Sequence, residues 1–367
     1  MLFPFLKPDL PRPEEWTPLL NVAYEQRYFS NFGPLASRLA KKMSATYLAP
    51  GYSGVLCSSN TAGLTAVLQA LGVAGHKVAI PDFTFAATPQ AVFSAGAVPV
   101  VCDIEADTWE LCPKSLEAAF DAHPEIAAVI HVRPFGLVRD LSAVREVCTL
   151  RNVPLLVDAA AGLGAPASGG RFGSEAGEIE VFSLHATKVF AIGEGGFIAA
   201  PESLMPAIKS AMNFGFNADR TYSEGQNAKL DEFRAAIGLV MLDKMDHIVP
   251  VRGEHAAFYR ELLSEFPECT LATAPGPTPW STFPVLFEQQ VTSQMLGAFS
   301  DNGVEIKKYY WPGVMKGYTG KREIHAVDIP ISLNMQDRCA CFPVYSDFTV
   351  DTGILLGERI KRALSML

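Results

Sequence analysis

Between residues 50 and 200 the chain alternates short apolar runs with longer segments in which apolar side chains recur at helical spacing. The apolar runs predict buried strands at 54–58, 77–81, 98–103, 127–132, 154–158, 180–183 and 196–200. The segments between them predict helices at 60–71, 89–95, 113–122 and 141–151. This alternation is typical of a mostly parallel sheet that is covered by helices on both faces.

The remaining segments predict an arm before this unit and a smaller α/β unit after it. Residues 1–30 are rich in proline and aromatic residues, and a helix at 35–48 follows with Leu35, Leu39, Met43 and Tyr47 on one face. After the sheet comes a long helical stretch at 234–266 that we expect to be interrupted near Pro250. Short strands at 281–287, 303–310 and 340–342 then alternate with helical runs at 294–300 and 351–366. We therefore predict an arm (1–30), a large domain (31–245) and a small C-terminal domain (246–367).

Composition and charge exclude several classes of protein. The 367 residues are 49% hydrophobic and 19% charged, which is enough to bury a large core and is not typical of a disordered chain. Lys and Arg number 30 against 39 Asp and Glu, a net charge of −9, which argues against a nucleic-acid partner. No run approaches the roughly 20 apolar residues of a membrane span, and the proline-containing first residues do not resemble a signal peptide. We expect a soluble, cytoplasmic protein.

Neither a disulfide framework nor a metal site is predicted. The seven cysteines are scattered along the chain, and only Cys339 and Cys341 lie close together. A single C-x-C pair without further Cys or His ligands is not a zinc site. The histidines include no pair at the spacing that brings two side chains to one helix face.

The candidate chemistry is concentrated between residues 157 and 196. Asp158 ends an apolar strand, and the carboxyl ends of parallel strands border the ligand crevice of such sheets. Lys188 follows the strand at 180–183 and precedes the glycines of G-E-G-G at 193–196. A buried lysine can form a Schiff base with an aldehyde, and a carboxylate can hold a proton on a pyridine nitrogen, as pyridoxal phosphate requires. Singly, a helix cap, a surface lysine and a turn are the more common explanations of these residues, so the hypothesis rests on their combination.

Two further segments match the rest of that cofactor. The small residues S-S-N-T-A-G at 58–63 follow a strand and begin a helix, so backbone N–H groups and the helix dipole would face a phosphate. An ordinary helix-capping run is the alternative. The aromatic residues of P-D-F-T-F-A-A-T at 81–88 include a candidate for stacking on a flat ring, and we assign Phe83 to the core.

Taken in order, these motifs resemble those of one family of enzymes. S-x-T-A, P-x-F-T-F-x-A-T, V-D-A-A, F-S-x-H-x-T-K and G-E-G-G are similar to the motifs of the DegT/DnrJ/EryC1/StrS sugar aminotransferases. These are pyridoxal-phosphate enzymes of fold type I, the aspartate aminotransferase-like fold. The resemblance covers residues 30–260 and includes N-F-G-P at 31–34 and G-Q-N-A-K-L-D-E-F-R-A-A at 225–236. It implies that the large domain binds the cofactor.

The resemblance also implies roles for individual residues. Lys188 matches the lysine that forms the Schiff base and shuttles the proton, and Asp158 matches the partner of the pyridine nitrogen. Phe85 lies where the family stacks an aromatic side chain on the cofactor ring.

Four other positions match phosphate-binding residues of the family. Thr61, Ala62 and Ser183 match binders from the same subunit, and Asn227 matches the asparagine that the neighbouring subunit contributes. The resemblance therefore implies a homodimer with composite active sites.

The chain departs from the family pattern around the cofactor. Ala161 stands where the family usually has Gln or His near the phenolic oxygen, and Arg133 replaces the His of P-V-H-x-x-G. Val189 follows the lysine in place of the common Asn, and Y-Y-W-P-G-V at 309–314 resembles Y-Y-P-P-x-H without its His. Because the motifs that hold the cofactor are intact, we interpret these departures as a change of substrate and not as a loss of catalysis.

The function that the resemblance implies is transamination. An amino donor, glutamate or glutamine, would convert the cofactor to pyridoxamine 5'-phosphate, and a keto sugar linked to a nucleotide would accept the amino group. Such a reaction belongs to nucleotide-sugar biosynthesis for polysaccharides or antibiotics. Arg133, Tyr309 and Tyr310 are candidate contacts to the acceptor, Arg133 because a guanidinium binds diphosphate or carboxylate in a bidentate manner, with a salt bridge as its alternative.

Two other functions remain open at this point. One is a pyridoxal-phosphate lyase or dehydratase on the same fold, which the reduced polar surroundings of Asp158 would allow. The other is a cofactor-binding regulator without catalysis. The joint retention of Lys188, Asp158, Ser183 and Asn227 argues against the regulator.

Overall fold

The seven strands predicted between residues 50 and 200 belong to an eight-stranded sheet in the computed structural model, which describes residues 2–165, 171–172, 177–273 and 278–367. Seven of these strands are β1 (Tyr52–Cys57), β2 (Lys77–Pro81), β3 (Val98–Cys102), β4 (Ile126–Val132), β5 (Leu155–Asp158), β6 (Ile179–Ser183) and β7 (Gly196–Pro201). Neighbours from β3 through β2, β4 and β5 to β6 are parallel, whereas β7 runs antiparallel to both β6 and β1. The expectation of a mostly parallel sheet is confirmed.

A second, antiparallel sheet lies in the last third of the described residues. Its four strands are β8 (Cys269–Leu271), β9 (Thr282–Phe287), β10 (Lys307–Lys308) and β12 (Cys339–Pro343). The eighth strand of the large sheet is β11 (His325–Ala326). The small sheet has the order β10-β12-β9-β8, and the large one has the order β1-β7-β6-β5-β4-β2-β3-β11. The chain thus leaves the small sheet after β10, pairs with the edge of the large sheet at β11, and returns at β12.

Eight of the described helices lie close to where the apolar spacing predicts them, and five short helices were not predicted. In chain order, the described helices are α1 (Pro13–Trp16), α2 (Asn21–Gln26), α3 (Pro34–Tyr47), α4 (Asn60–Ala70), α5 (Ala87–Ser94), α6 (Pro113–Ala122), α7 (Ser142–Leu150), α8 (Met205–Ala211), α9 (Glu232–Leu263), α10 (Ser293–Asp301), α11 (Gly313–Gly317), α12 (Pro330–Met335) and α13 (Val350–Leu364). Short 3-10 turns occupy Thr17–Leu20 and Pro134–Gly136. Among the described helices, none has the length and apolar character that crossing a membrane requires.

Both faces of the large sheet are buried. Along β4, Ala128 and Ile130 pack into the cluster formed with α4, α5 and α8, whereas Val129 packs on the opposite face. Strands with apolar residues on both faces read as continuous apolar runs, which is why the sequence pattern locates them well. Phe83 is buried, as predicted.

Three sequence predictions differ from the structure. The long helix is not interrupted, because α9 continues through Pro250. Proline removes one backbone hydrogen bond, but packing on both sides holds the helix together: Leu239 lies in a core cluster of the large sheet and Tyr259 in that of the small sheet. The predicted strand at 303–310 is reduced to β10, and the predicted arm contains two short helices and a 3-10 turn. The domain boundary at residue 245, which lies inside α9, stays a prediction.

Candidate active site

The strand ends of the large sheet create a cavity of about 430 Å³ at one edge. Register places Ser183 at the end of β6 beside Gly196 at the start of β7, and Cys57 at the end of β1 is also paired with Gly196. Eight residues singled out from the sequence line this cavity: Thr61, Phe85, Arg133, Asp158, Ser183, Lys188, Tyr309 and Tyr310. They come from both sheets, so the cavity lies between them.

Asp158 is a buried carboxylate that is held by two side chains. Thr88 Oγ1 donates to Asp158 Oδ2 at 2.8 Å, and Asn60 Nδ2 donates to Oδ1 at 3.2 Å. Burial raises the pKa of Asp158, while these hydrogen bonds favour the charged form and act in the opposite direction. The result is a carboxylate fixed in position beneath the cavity.

Lys188 lies in the turn that joins β6 to β7. Backbone hydrogen bonds from Leu184 to Gly195 and from Ala186 to Gly193 close this turn, at 2.9 and 2.8 Å. Burial lowers the pKa of Lys188, and the charge of Asp158 opposes this shift. A lowered pKa increases the fraction of neutral amine, which is the form that attacks a carbonyl group.

The beginning of α4 presents backbone N–H groups to the cavity. Ser59 caps the helix, and its Oγ accepts from the N–H of Ala62 at 3.1 Å. Among the described residues, the N–H groups of Asn60 and Thr61 have no such partner and lie at the positive end of the helix dipole. The beginning of β7 lies close to the beginning of α4, and Gly196 allows this closeness, because a Cβ atom at residue 196 would lie 2.8 Å from the carbonyl carbon of Ser59.

Aromatic side chains also line the cavity. Phe85 remains 63% exposed although it is a large apolar side chain, and it lies at the cavity surface. Tyr310 stacks on Phe135, with ring centroids 5.1 Å apart, and meets Phe83 edge-on at 5.2 Å. Burial raises the pKa of Tyr310, so its hydroxyl is neutral over the physiological range.

Arg133 has its guanidinium group in a buried ion pair. Its Nε lies 3.5 Å from Glu180 Oε2, and its Nη1 donates to the carbonyl oxygen of Arg139 at 3.3 Å. The ion pair with Glu180 agrees with the alternative role given to Arg133 from the sequence, that of a salt bridge. A contact between Arg133 and a substrate stays a prediction.

Two residues predicted to bind the phosphate do not line the cavity. Ala62 gives its N–H to the helix cap, and its carbonyl oxygen accepts from Gln226 Nε2 at 3.0 Å. Asn227 pairs with Asn213 through the backbone and accepts from Lys229 Nζ at 2.7 Å. A role for Asn227 in a neighbouring subunit's site stays a prediction.

Sequence reasoning did not assign several residues that the structure brings to the site. Asn60 and Thr88 hold Asp158, and both lie inside motifs that were recognised without a role for these positions. Leu6 and Ser281 also line the cavity, and nothing in their local sequence indicates this. They arrive from parts of the chain far from the motifs.

Comparison with known proteins identifies the family. The sequence model of the DegT/DnrJ/EryC1/StrS aminotransferase family matches residues 13–357. The chain belongs to this family. Over 354 residues it is 28% identical to the dTDP-4-amino-4,6-dideoxy-D-glucose transaminase of Shigella dysenteriae, and the match covers 94% of each chain. A shorter match, 29% identical over 215 residues and 57% of each chain, relates it to the GDP-perosamine synthase of Caulobacter vibrioides.

Solved structures agree with this assignment. The structure of DesI in the presence of its TDP-sugar product has a TM-score of 0.85 and is 27% identical, over 100% of this chain and 94% of DesI. A Bacillus cereus protein with the provisional name of PLP-dependent aminotransferase has a TM-score of 0.90 at 25% identity, covering 98% of this chain and all of that one. This member of the DegT/DnrJ/EryC1/StrS family is therefore a PLP-dependent aminotransferase of fold type I.

The cavity fits the cofactor that the family implies. Asp158 provides a buried carboxylate for a pyridine nitrogen, the beginning of α4 provides N–H groups for a phosphate, and Lys188 provides an amine in the same cavity. Phe85 presents an exposed ring for stacking. The donor set thus matches each part of pyridoxal phosphate.

Proposed function

We propose that this aminotransferase moves an amino group from glutamate or glutamine to a nucleotide-linked keto sugar. The names of the Shigella and Caulobacter relatives and of the DesI complex support a sugar acceptor. The observation that carries the proposal is the presence of Lys188 and of the hydrogen-bonded Asp158 in one cavity.

In the proposed reaction, each residue of the site has a separate role. When bound, pyridoxal phosphate supplies an aldehyde and a ring that accepts electrons from the carbon next to the amino group. Lys188 would hold the aldehyde as a Schiff base and, once released by the amino donor, would move a proton at Nζ. Asp158 would hold a proton on the ring nitrogen, and Thr61 and Ser183 would bind the phosphate. Tyr309, Tyr310 and, less directly, Arg133 are the candidate contacts to the acceptor.

The proposal includes a cytoplasmic homodimer in which Asn227 completes the site of the neighbouring subunit. Support comes from the exposed aromatic side chains on the same loop, Phe214, Phe216 and Tyr222, which pack against one another. Apolar patches of this kind are typical of protein interfaces.

The first experiment is an absorption spectrum of the protein loaded with pyridoxal phosphate, before and after addition of L-glutamate or L-glutamine. We expect the Schiff-base band to give way to the spectrum of the pyridoxamine form, and Lys188→Ala to show neither band nor change. Lys209→Ala is the matched control, because Lys209 is an exposed lysine at the end of α8.

The alternative functions predict different spectra. A band that forms but that no amino donor converts would favour the lyase or the regulator. Failure to bind the cofactor after reconstitution would overturn the proposal.

A further inference from the structure

The segment 2–9 is fixed to the small sheet. Phe3 N–H donates to Gly303 O at 2.8 Å, and Glu305 N–H donates back to Phe3 O at 2.9 Å. Phe5 N–H donates to Glu305 Oε2 at 2.8 Å. The rings of Phe3 and Phe5 are buried in the core cluster of the small sheet, so this segment has a defined position.

The next side chain, Leu6, lies in the cavity that contains Lys188. It is 37% exposed and lines the cavity together with Tyr309, on whose ring Phe5 packs at 5.7 Å between centroids. Residues 5–9 also line a second small hollow whose other wall is formed by 186–189. An ion pair between Lys7 and Asp347 fixes the segment beyond Leu6.

The cavity is lined by groups of different chemistry. Asp158 and the beginning of α4 provide polar groups that match the cofactor. Leu6 and the ring of Tyr309 contribute apolar surface to the cavity, and the segments that carry them pack on the small sheet. Because binding sites orient ligands with a few polar groups and enclose them with apolar ones, this surface suits the C–H face of a sugar ring.

We propose that Leu6 is a specificity residue that forms an apolar wall for the sugar acceptor. The inference rests on the proposed function, because it needs a sugar to enter after the amino donor has left. Both substrates use the same cavity but differ greatly in size. A change at residue 6 should therefore affect the sugar and leave the smaller amino acid almost unaffected.

The test measures the two half-reactions separately by absorption. L-Glutamate probes the donor half-reaction, and dTDP-4-amino-4,6-dideoxy-D-glucose or GDP-perosamine, each used as an amino donor, probes the sugar half-reaction in reverse. Leu6→Trp should raise the amino-sugar concentration for half-maximal conversion about tenfold, and Leu6→Ala should raise it several-fold. The response to L-glutamate should change by less than about twofold. Leu2→Trp and Leu2→Ala are the matched controls, because Leu2 lies in the same segment but is 51% exposed outside the cavity.

A second measurement does not depend on turnover. In Leu6→Cys, labelling by a maleimide should slow when the amino sugar is added to the loaded protein, and in Leu2→Cys it should not. The unmodified protein provides the background, because six of its seven cysteines are buried.

The outcomes separate the inference from the proposed function. If the wild type responds to L-glutamate and to an amino sugar, but Leu6→Trp behaves like the wild type and Leu6→Cys is not protected, the inference is wrong and the proposed function stands. A wild type that responds to L-glutamate but to neither amino sugar overturns the inference and leaves the donor half of the proposal. If no amino donor converts the wild type, both fail.

Discussion

At the scale of single residues, the charge on Asp158 depends on side chains from two helices. Asn60 begins α4 and Thr88 lies in α5, and each donates one hydrogen bond to the carboxylate. Burial alone would raise the pKa of Asp158 and favour its neutral form, which cannot stabilise a protonated ring nitrogen. The hydrogen bonds from Thr88 and Asn60 oppose this shift of the pKa and favour the charged form that the proposed chemistry needs.

This arrangement predicts that Thr88→Val slows the reaction without removing the cofactor. A hydrogen bond to a charged group contributes about 1.5–3 kcal/mol, so the rate of the donor half-reaction should fall roughly ten- to a hundredfold. Thr88→Ser, which keeps the hydroxyl, should recover most of that rate. Stopped-flow absorption with L-glutamate measures both variants, and equal rates in Thr88→Val and wild type would contradict the role of Thr88.

At the scale of elements, the anion site depends on how closely β7 approaches α4. Gly196 begins β7, and a Cβ atom there would lie 2.7 Å from Cys57 Sγ and 2.9 Å from the backbone nitrogen of Asn60. Those distances are shorter than any van der Waals contact, so only glycine keeps the strand this close to the beginning of the helix. The strand thereby sets the position of the N–H groups to which the proposal assigns the phosphate.

We predict that Gly196→Ala weakens cofactor binding. Overpacking costs about 1–3 kcal/mol, which corresponds to roughly a five- to hundredfold rise in the Kd for pyridoxal phosphate if the strain falls on this site. Gly253→Ala is the control: Gly253 lies in α9 with open space around its Cα, so alanine should leave the Kd unchanged. Fluorescence titration with the cofactor measures both, and an unchanged Kd in Gly196→Ala would argue against this dependence.

The elements themselves were largely predictable from the sequence. The bounds of β2 and α6 agree with the predicted 77–81 and 113–122, because their apolar spacing is strong and a proline marks the beginning of α6. The predicted interruption of the long helix near Pro250 is wrong, because the tertiary packing that stabilises α9 on both sides of the proline is not visible in the local sequence.

At the scale of the whole molecule, two buried carboxylates connect the sheets around the cavity. Ser332 Oγ donates to Asp82 Oδ2 at 2.6 Å, and the N–H groups of Ile331 and Ser332 donate to Asp103 at 3.0 and 2.8 Å. Asp82 follows β2 and lies three residues before Phe85. Ser332, which donates to Asp82, lies in α12, after Tyr310 in the chain. These hydrogen bonds therefore tie the chain that follows β2 and β3 to the segment between β11 and β12.

The proposed composite site predicts that two defective variants restore activity when mixed. Neither Lys188→Ala nor Asn227→Ala should have appreciable activity alone. After subunit exchange about half of the dimers are mixed, and each mixed dimer has one intact site, so activity should reach about a quarter of the wild-type value. A coupled transaminase assay before and after exchange measures this, and a mixture no more active than its components would contradict a shared site.

The sequence by itself determined the succession of the longer strands and helices along the chain, the family, and the proximity of Lys188 and Asp158. This was possible because apolar periodicity depends on residues a few positions apart, and because the carboxyl ends of parallel strands meet at one edge. Only the tertiary structure decided that Thr88 holds Asp158, that Arg133 pairs with Glu180, and that Leu6 enters the cavity. These contacts join residues far apart in the chain, and such residues meet only where the packing of both sheets brings them together.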